Sequence, residues 1–196
     1  MGLRGLEPLT LCLSMKKRGW EPLAFRYCRG VDSGTPNVLP SDVYIASLAR
    51  KRMAAGALFR DQDGKILLVD PVYRTTWDLP GGAVEAEESP HAACRREVSE
   101  ELGLDRPTGR VLAVDWVPSR PERPEGLITV YDGGVLTPGD IKAIVIPEGE
   151  LVGFRFVPRD QVAAMVTPLV ARRIAASLDA VAAGTVASLE NGTPAG

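Results

Sequence analysis

The stretch GGAVEAEESPHAACRREVSEELGL, running from Gly81 to Leu104, decides how this chain is read. It opens on a glycine pair, crosses a loop with Glu88, and enters a segment carrying Arg96, Glu97, Glu100 and Glu101. Ser89 is a natural N-cap, and Pro90 suits the first helical position, where a missing N–H is no loss. Gly103 stands where a left-handed C-terminal cap belongs, so the spacing predicts a helix from Pro90 to Leu102. At about 100° per residue, Cys94, Val98 and Leu102 form an apolar stripe. Glu97, Glu100 and Glu101 fill the sector beside it, at the edge of the buried face. Acids three and four apart repel each other by a few tenths of a kcal/mol. Partial desolvation adds to that cost, so the cluster calls for a cation, and a divalent metal is the first candidate.

Carboxylate oxygens in a loose array suit Mg²⁺ or Mn²⁺ rather than zinc. The single histidine of the chain, His91, rules out a two-histidine metal site and makes a Ser-His-Asp arrangement improbable; it is expected at the surface. Cys94 has no neighbouring base and is expected as buried filler on the apolar stripe.

The same residues follow a longer pattern. Gly82, five residues, Glu88, seven residues, and then Arg96, Glu97, Val98, Glu100, Glu101, Gly103 and Leu104 at fixed spacing resemble the Nudix box, with every defining position filled. The lead-in Trp77-Asp78-Leu79-Pro80-Gly81-Gly82 is similar to the approach common in that family. Weaker agreement extends from near Ala54 to near Ala183. The resemblance implies the Nudix fold, an α/β architecture with a mixed β-sheet sandwiched between α-helices. It also implies a pyrophosphohydrolase that cleaves the diphosphate linkage of a nucleoside diphosphate joined to another moiety.

By position in the box, the resemblance makes Glu97, Glu100 and Glu101 metal ligands, with the Gly82 carbonyl a further one. It gives Glu88 the role of pairing with Arg96, or of reaching the metal through water. A planar guanidinium gripping a carboxylate with two hydrogen bonds would fix loop against helix. The general base varies in the family between a box glutamate and an acid in a later loop, and Glu148 and Glu150 lie in such a loop. Pro118, a short way past the box, is a mark of ADP-ribose hydrolases, and Arg120 and Arg123 beside it are candidates to hold a terminal phosphate or ribose. The signatures of NADH-cleaving and coenzyme A-cleaving relatives are absent. ADP-ribose, a nucleotide sugar and an oxidised nucleoside triphosphate all stay open as substrates. Tyr73, Trp77, Trp116 and Tyr131 each offer a stacking face.

Two other classes are weighed. A non-catalytic Nudix-type ligand sensor is the alternative, although such regulators tend to lose the box acids kept here and carry an extra DNA-binding domain. An isopentenyl diphosphate isomerase would need more metal-binding histidines than one. The formal net charge of −2 at pH 7 argues against a general nucleic-acid or membrane-surface binder and for a small-molecule nucleotide partner. Homodimerisation is left open. Cys12, Cys28 and Cys94 form no C-x-x-C pair, which points to a reducing cytoplasm. No apolar run approaches the ~20 residues of a membrane span.

Residues 1 to 40 are rich in Gly, Pro, Arg and Ser and are expected as a mobile extension, with docking through Leu9, Leu11, Trp20 and Phe25 as the alternative. Residues 41 to 183 should form the domain, and 184 to 196 a flexible small-residue tail. Tyr44 to Arg52 reads as a short helix or the lead-in to a strand. Ala54 to Phe59 and Lys65 to Val69 flank Asp63-Gly64, a hairpin turn signal. Arg74 to Leu79, Arg110 to Val117 and Leu151 to Val157 read as strands, and so does Leu127 to Leu136, with a bulge at Gly133-Gly134. Thr137 to Glu150 reads as mostly loop around a short apolar run, Ile141 to Ile146. Arg159 to Val166 and Pro168 to Ala183 read as helices.

Overall fold

A computed structural model describes residues 39–196, so the expected behaviour of residues 1–40 falls almost wholly outside the described residues. The chain divides into two compact units, Met1–Ala49 and Arg50–Gly196. In the described part of the first, α1 (Ser41–Ser47) buries none of its side chains. The second unit carries the site.

Its centre is β1 (Arg52–Arg60), which turns at Asp63-Gly64 into β2 (Ile66–Pro71). Asp61 fixes that turn, its Oδ1 accepting from the Asp63 and Lys65 amides. The short β3 (Gly81–Ala83) pairs antiparallel with β1 and leads into α2 (Pro90–Leu102). There follow β4 (Val111–Val117), β5 (Gly126–Val135), α3 (Pro138–Ala143) and β6 (Leu151–Val157). A 3₁₀ turn at Arg159–Gln161, α4 (Val162–Met165), α5 (Pro168–Ala183), β7 (Ala187–Glu190) and β8 (Thr193–Pro194) complete the order. All strands join one mixed sheet in the order β6-β2-β1-β5-β4-β7-β8, with β3 on the side of β1. The β1–β5 pairing at its middle is parallel.

The alternation along β1 decides which helix lies where. Ala55, Ala57 and Phe59 point to one face, where they pack with Cys94, Val98 and Leu102 of α2. Leu58 points to the other, where Leu68, Leu112 and Val130 meet Val170 and Ile174 of α5. A period of two on the strand and of 3.6 on the helices therefore builds a three-layer domain. The helix ends form as their residues dictate. Ser89 Oγ accepts from the Ala92 amide, and Gly103 closes α2 at φ 65°. The bulge expected in β5 is present, with the β1–β5 register shifting between Leu58 and Phe59. Gly133 is required there, since a Cβ would lie 2.4 Å from Cδ1 of Phe59.

Two expectations need correction, and a third gains a short helix. Arg74 to Leu79 is not a strand; it is a turn region touching the sheet through isolated bridges, Val69 with Asp78 and Trp77 with Val166. The segment from Thr137 to Glu150 is mostly loop, as expected, but it begins with the short helix α3, opened by a capping box in which Thr137 Oγ1 accepts from the Asp140 amide and Asp140 accepts from the Thr137 amide. Residues 184–196 are not a free tail: β7 adds to β4 in parallel, and β8 folds back on β7 about Asn191-Gly192. Leu189 is 3% exposed, and the Gly192 amide donates to the buried Asp115.

Removing residues 185–196 should therefore cost about 3–5 kcal/mol, the sum of one buried leucine and one lost donor to a buried carboxylate. Urea unfolding of the shortened chain measures this. A midpoint equal to that of the full chain would mean the two strands contribute nothing to the fold. No helix among the described residues is long and apolar enough to cross a membrane.

Candidate functional site

The site is built where β3 meets α2. Gly81 adopts φ 141°, and a Cβ there would lie 2.3 Å from the Ala55 carbonyl oxygen, so only glycine lets this strand close on β1. Its amide donates to Glu101 Oε2 at 2.8 Å. At Gly82 a Cβ would stand 2.5 Å from Glu97 Oε1, so the carboxylate of Glu97 occupies the space that the missing side chain leaves. The glycine pair thus seats two of the three helix acids.

Arg96 organises the rest. Its Nε donates to Glu88 Oε1 and its Nη2 to Glu88 Oε2, both at 3.0 Å, a two-point grip that ties the loop to α2. Nη2 also donates to the Ala83 carbonyl, and Nη1 donates to Glu97 Oε1 and Glu100 Oε2. The hydrogen bonds to Glu88 hold the guanidinium charged and its pKa above the ordinary value. In return Arg96 draws the Glu88 carboxyl below its ordinary value. Both oxygens of Glu88 accept from Arg96, so of its two expected roles the structure shows the pairing.

The other acids are less comfortable as anions. Glu101 is only 8% exposed. Burial pushes its carboxyl up to about 8 against the Gly81 amide bond, and Glu97, Glu150 and Asp78 add to the rise. Glu97 is raised first by burial and then by Glu100 and Glu150, with Arg96 opposing. Among the described residues no three His, Cys, Asp or Glu side chains converge as a ready-made metal centre. The physical reason is visible: Arg96 Nη1 binds Glu97 and Glu100, and the Gly81 amide binds Glu101. The donor chemistry nonetheless fits a hard divalent cation, because two half-desolvated carboxylates and an exposed third stand together with one guanidinium among them.

The later loop reaches the helix acids. Glu148 and Glu150 line a cleft together with Ser99, Glu100, Glu101, Pro147 and Leu151. The antiparallel pairing of β6 with β2 brings them there, and the Val72 amide donates to the Glu150 carbonyl at 2.9 Å. Arg120 and Arg123 do not join this cleft. They face each other across a tight turn, each amide donating to the other's carbonyl, with Arg120 Nη2 reaching Asn191 Oδ1 at 3.4 Å.

One residue escaped the sequence reading. Arg52, at the start of β1, has a buried Nε with no hydrogen-bond partner. Its pKa is lowered first by burial and then by the positive charges of Arg123 and Arg173. Nothing in the sequence marks it, because its neighbours come from β4–β5 and α5. His91 is exposed as expected, and it also sets its ring edge-on to Tyr131 and contacts the Thr108 carbonyl. Cys94 is fully buried and its thiol is pushed up to about 12 by burial, which makes it inert filler.

With this geometry in place, comparison with known proteins is direct. The family model described as the NUDIX domain matches residues 50–178. Diphosphoinositol polyphosphate phosphohydrolase 2 of Rattus norvegicus is 44% identical over 66 residues, 33% of this chain and 37% of that protein. The match thus spans well under half the length of this curated relative. Among solved structures, a MutT protein from Methanosarcina mazei Go1 is 24% identical with a TM-score of 0.55, covering 70% of this chain and 99% of that one. An ADP-ribose pyrophosphatase from Streptococcus suis is 24% identical with a TM-score of 0.52, covering 72% and 99%. At that identity the likeness is one of fold.

Proposed function

The chain belongs to the Nudix family; on that premise we propose that it is a divalent-metal-dependent pyrophosphohydrolase acting on a nucleoside diphosphate joined to a second moiety. The observation that carries the reading is the seating of Glu97 and Glu101 against Gly82 and Gly81, where both are raised first by burial and then by neighbouring carboxylates, Glu150 among them. Glu97, Glu100 and Glu101, with the Gly82 carbonyl, would hold Mg²⁺ or Mn²⁺. When bound, such an ion neutralises phosphate oxygens and lowers the pKa of an attacking water. Arg96 can release Glu97 and Glu100 and stay anchored, because Glu88 and the Ala83 carbonyl hold its other nitrogens.

Glu148 and Glu150, which line the same cleft as Glu100 and Glu101, are the candidates to accept the proton of the attacking water. Glu150 is favoured, because it acts on both Glu97 and Glu101. Glu150→Gln should lower kcat about a hundredfold or more, the usual worth of a general base. Wild-type turnover in both Glu150→Gln and Glu148→Gln would remove the loop from the chemistry.

Arg52, Arg120 and Arg123 form no ion pair among the described residues, although Arg120 reaches Asn191. ADP-ribose and nucleotide sugars are the candidates that need no anionic group beyond the scissile diphosphate; the unpaired arginines favour a second reading, a polyanion like the diphosphoinositol polyphosphates for which the relatives are named. The test incubates the protein with Mg²⁺ and each of these, together with oxidised nucleoside triphosphates, and measures phosphate released after adding phosphatase. Silence across the panel, with tight ligand binding by calorimetry, would support a non-catalytic sensor instead.

A further inference from the structure

Four aromatic side chains were candidates to stack on a substrate base, and the fold has committed three of them elsewhere. Trp77 is half-buried beneath the Arg155 guanidinium, 5.4 Å from its ring centroid. Trp116 is half-buried and donates its Nε1 to Glu125 Oε2. Tyr131 is buried and takes the edge of His91. Tyr73 is left, with 69% of its surface exposed.

Exposure alone would make it a loose surface ring, but Tyr73 is held. Arg74 lies over it, with Cζ 5.0 Å from the ring centroid, and donates Nη2 to the phenol oxygen at 3.1 Å. Arg74 is itself pinned by Asp78, its Nη1 donating to Oδ2 at 2.7 Å. Asp78 lies close enough to Glu101 to raise its carboxyl. The preceding residue, Val72, is bonded through its amide to the carbonyl of Glu150, which lines the acidic cleft. Val72 and Val152, beside the Pro71–Leu151 pair, are exposed apolar neighbours.

We propose that Tyr73, backed by Arg74 and followed along the chain by the Arg74–Asp78 pair, is the platform on which the nucleobase of the substrate stacks. A guanidinium over one face leaves the other for a flat, polarisable partner, and every base offers one. A ring fixed in advance loses little freedom on binding, which is what a specificity element requires. The Val72 amide joins this segment to the cleft wall at Glu150, so a base on Tyr73 would rest beside the cleft that Glu100 and Glu101 line. This rests on the nucleoside diphosphate reading given above.

Two measurements separate the platform from that reading. In the first, adenosine monophosphate and ribose 5-phosphate are titrated by NMR into the wild-type chain and into Tyr73→Ala. The wild type should bind the base-bearing ligand at least tenfold more tightly, Tyr73→Ala should lose that preference, and Tyr73→Trp should keep it. Equal affinities in the wild type, or a preference that survives Tyr73→Ala, overturn the platform even if hydrolysis stands. In the second, KM for ADP-ribose should rise about tenfold or more in Tyr73→Ala with kcat within about twofold, while KM for a diphosphoinositol polyphosphate, which has no base, should not move. An equal rise for both substrates overturns the proposal as well. Absence of any hydrolysis by the wild type would defeat the catalytic reading and leave the NMR comparison to decide the platform.

Discussion

Glu101→Gln should lower turnover by about a thousandfold, equivalent to ~4 kcal/mol of charge stabilisation lost from the transition state. The fold should survive, because the carboxamide oxygen can still accept from the Gly81 amide that now bonds Glu101 Oε2. Thermal unfolding adds a sign that activity alone does not give. In metal-free buffer the Glu101 carboxyl is raised from 4.5 to about 8 by burial. Its contribution to stability is present below pH 4.5 and is lost as pH climbs through about 8, where the folded state must carry a desolvated charge. The variant has no such group to ionise. Its Tm should match the wild type near pH 5, exceed it near pH 8 in chelator, and fall below it once Mg²⁺ is added, since the cation stabilises only the chain that binds it. A Tm that collapses at every pH, with or without Mg²⁺, would make Glu101 a structural acid and remove the basis for a metal site.

The largest effect on stability is expected far from those acids. Asp115 on β4 is 0% exposed. Its Oδ2 accepts from Arg173 Nε and Nη2 at 2.9 and 2.6 Å, and its Oδ1 accepts from the Gly192 amide at 2.9 Å. One carboxylate therefore joins β4, α5 and the β7–β8 turn. Asp115→Ala would leave the guanidinium of Arg173 buried without a counter-charge and near Arg52, at a cost of about 3–5 kcal/mol. That is a large part of the ~5–15 kcal/mol that usually holds a domain together. Urea unfolding of the purified variant measures it. Combining Asp115→Leu with Arg173→Met should recover most of the loss, since an apolar pair needs no partner. A loss under about 1 kcal/mol for the single variant would mean that water reaches this pair.

These two expectations differ in how far the sequence announces them. The box acids, the Ser89 cap and the Gly103 stop are written within one local stretch, and local rules suffice to read them. Asp115 and Arg173 carry no local mark, because they meet only when α5 lies across β4. The missed α3 was announced by Thr137-Pro138-Gly139-Asp140, a capping signal in a short segment whose apolar run drew the reading elsewhere. Likewise Asn191-Gly192 is a hairpin turn signal, but the flanking runs are too short to be read as strands without β4 to pair with. Arg74 to Leu79 has strand-like composition, yet Asp78 turns its side chain back to its own backbone neighbour and to Arg74, which spends the segment on a turn.

The sequence by itself determined that a helix from Pro90 to Leu102 would present Glu97, Glu100 and Glu101 beside a buried stripe behind a glycine pair, because caps and helical period are short-range properties. Only the tertiary structure decided that Glu150 would come near Glu101, that Arg52, Arg123 and Arg173 would share one electrostatic neighbourhood, and that Tyr73 would be the one of the four candidate rings left open. Each of those depends on which strands pair and which helix covers which face, and burial, charge coupling and exposure belong to the packed sheet rather than to any single stretch of chain.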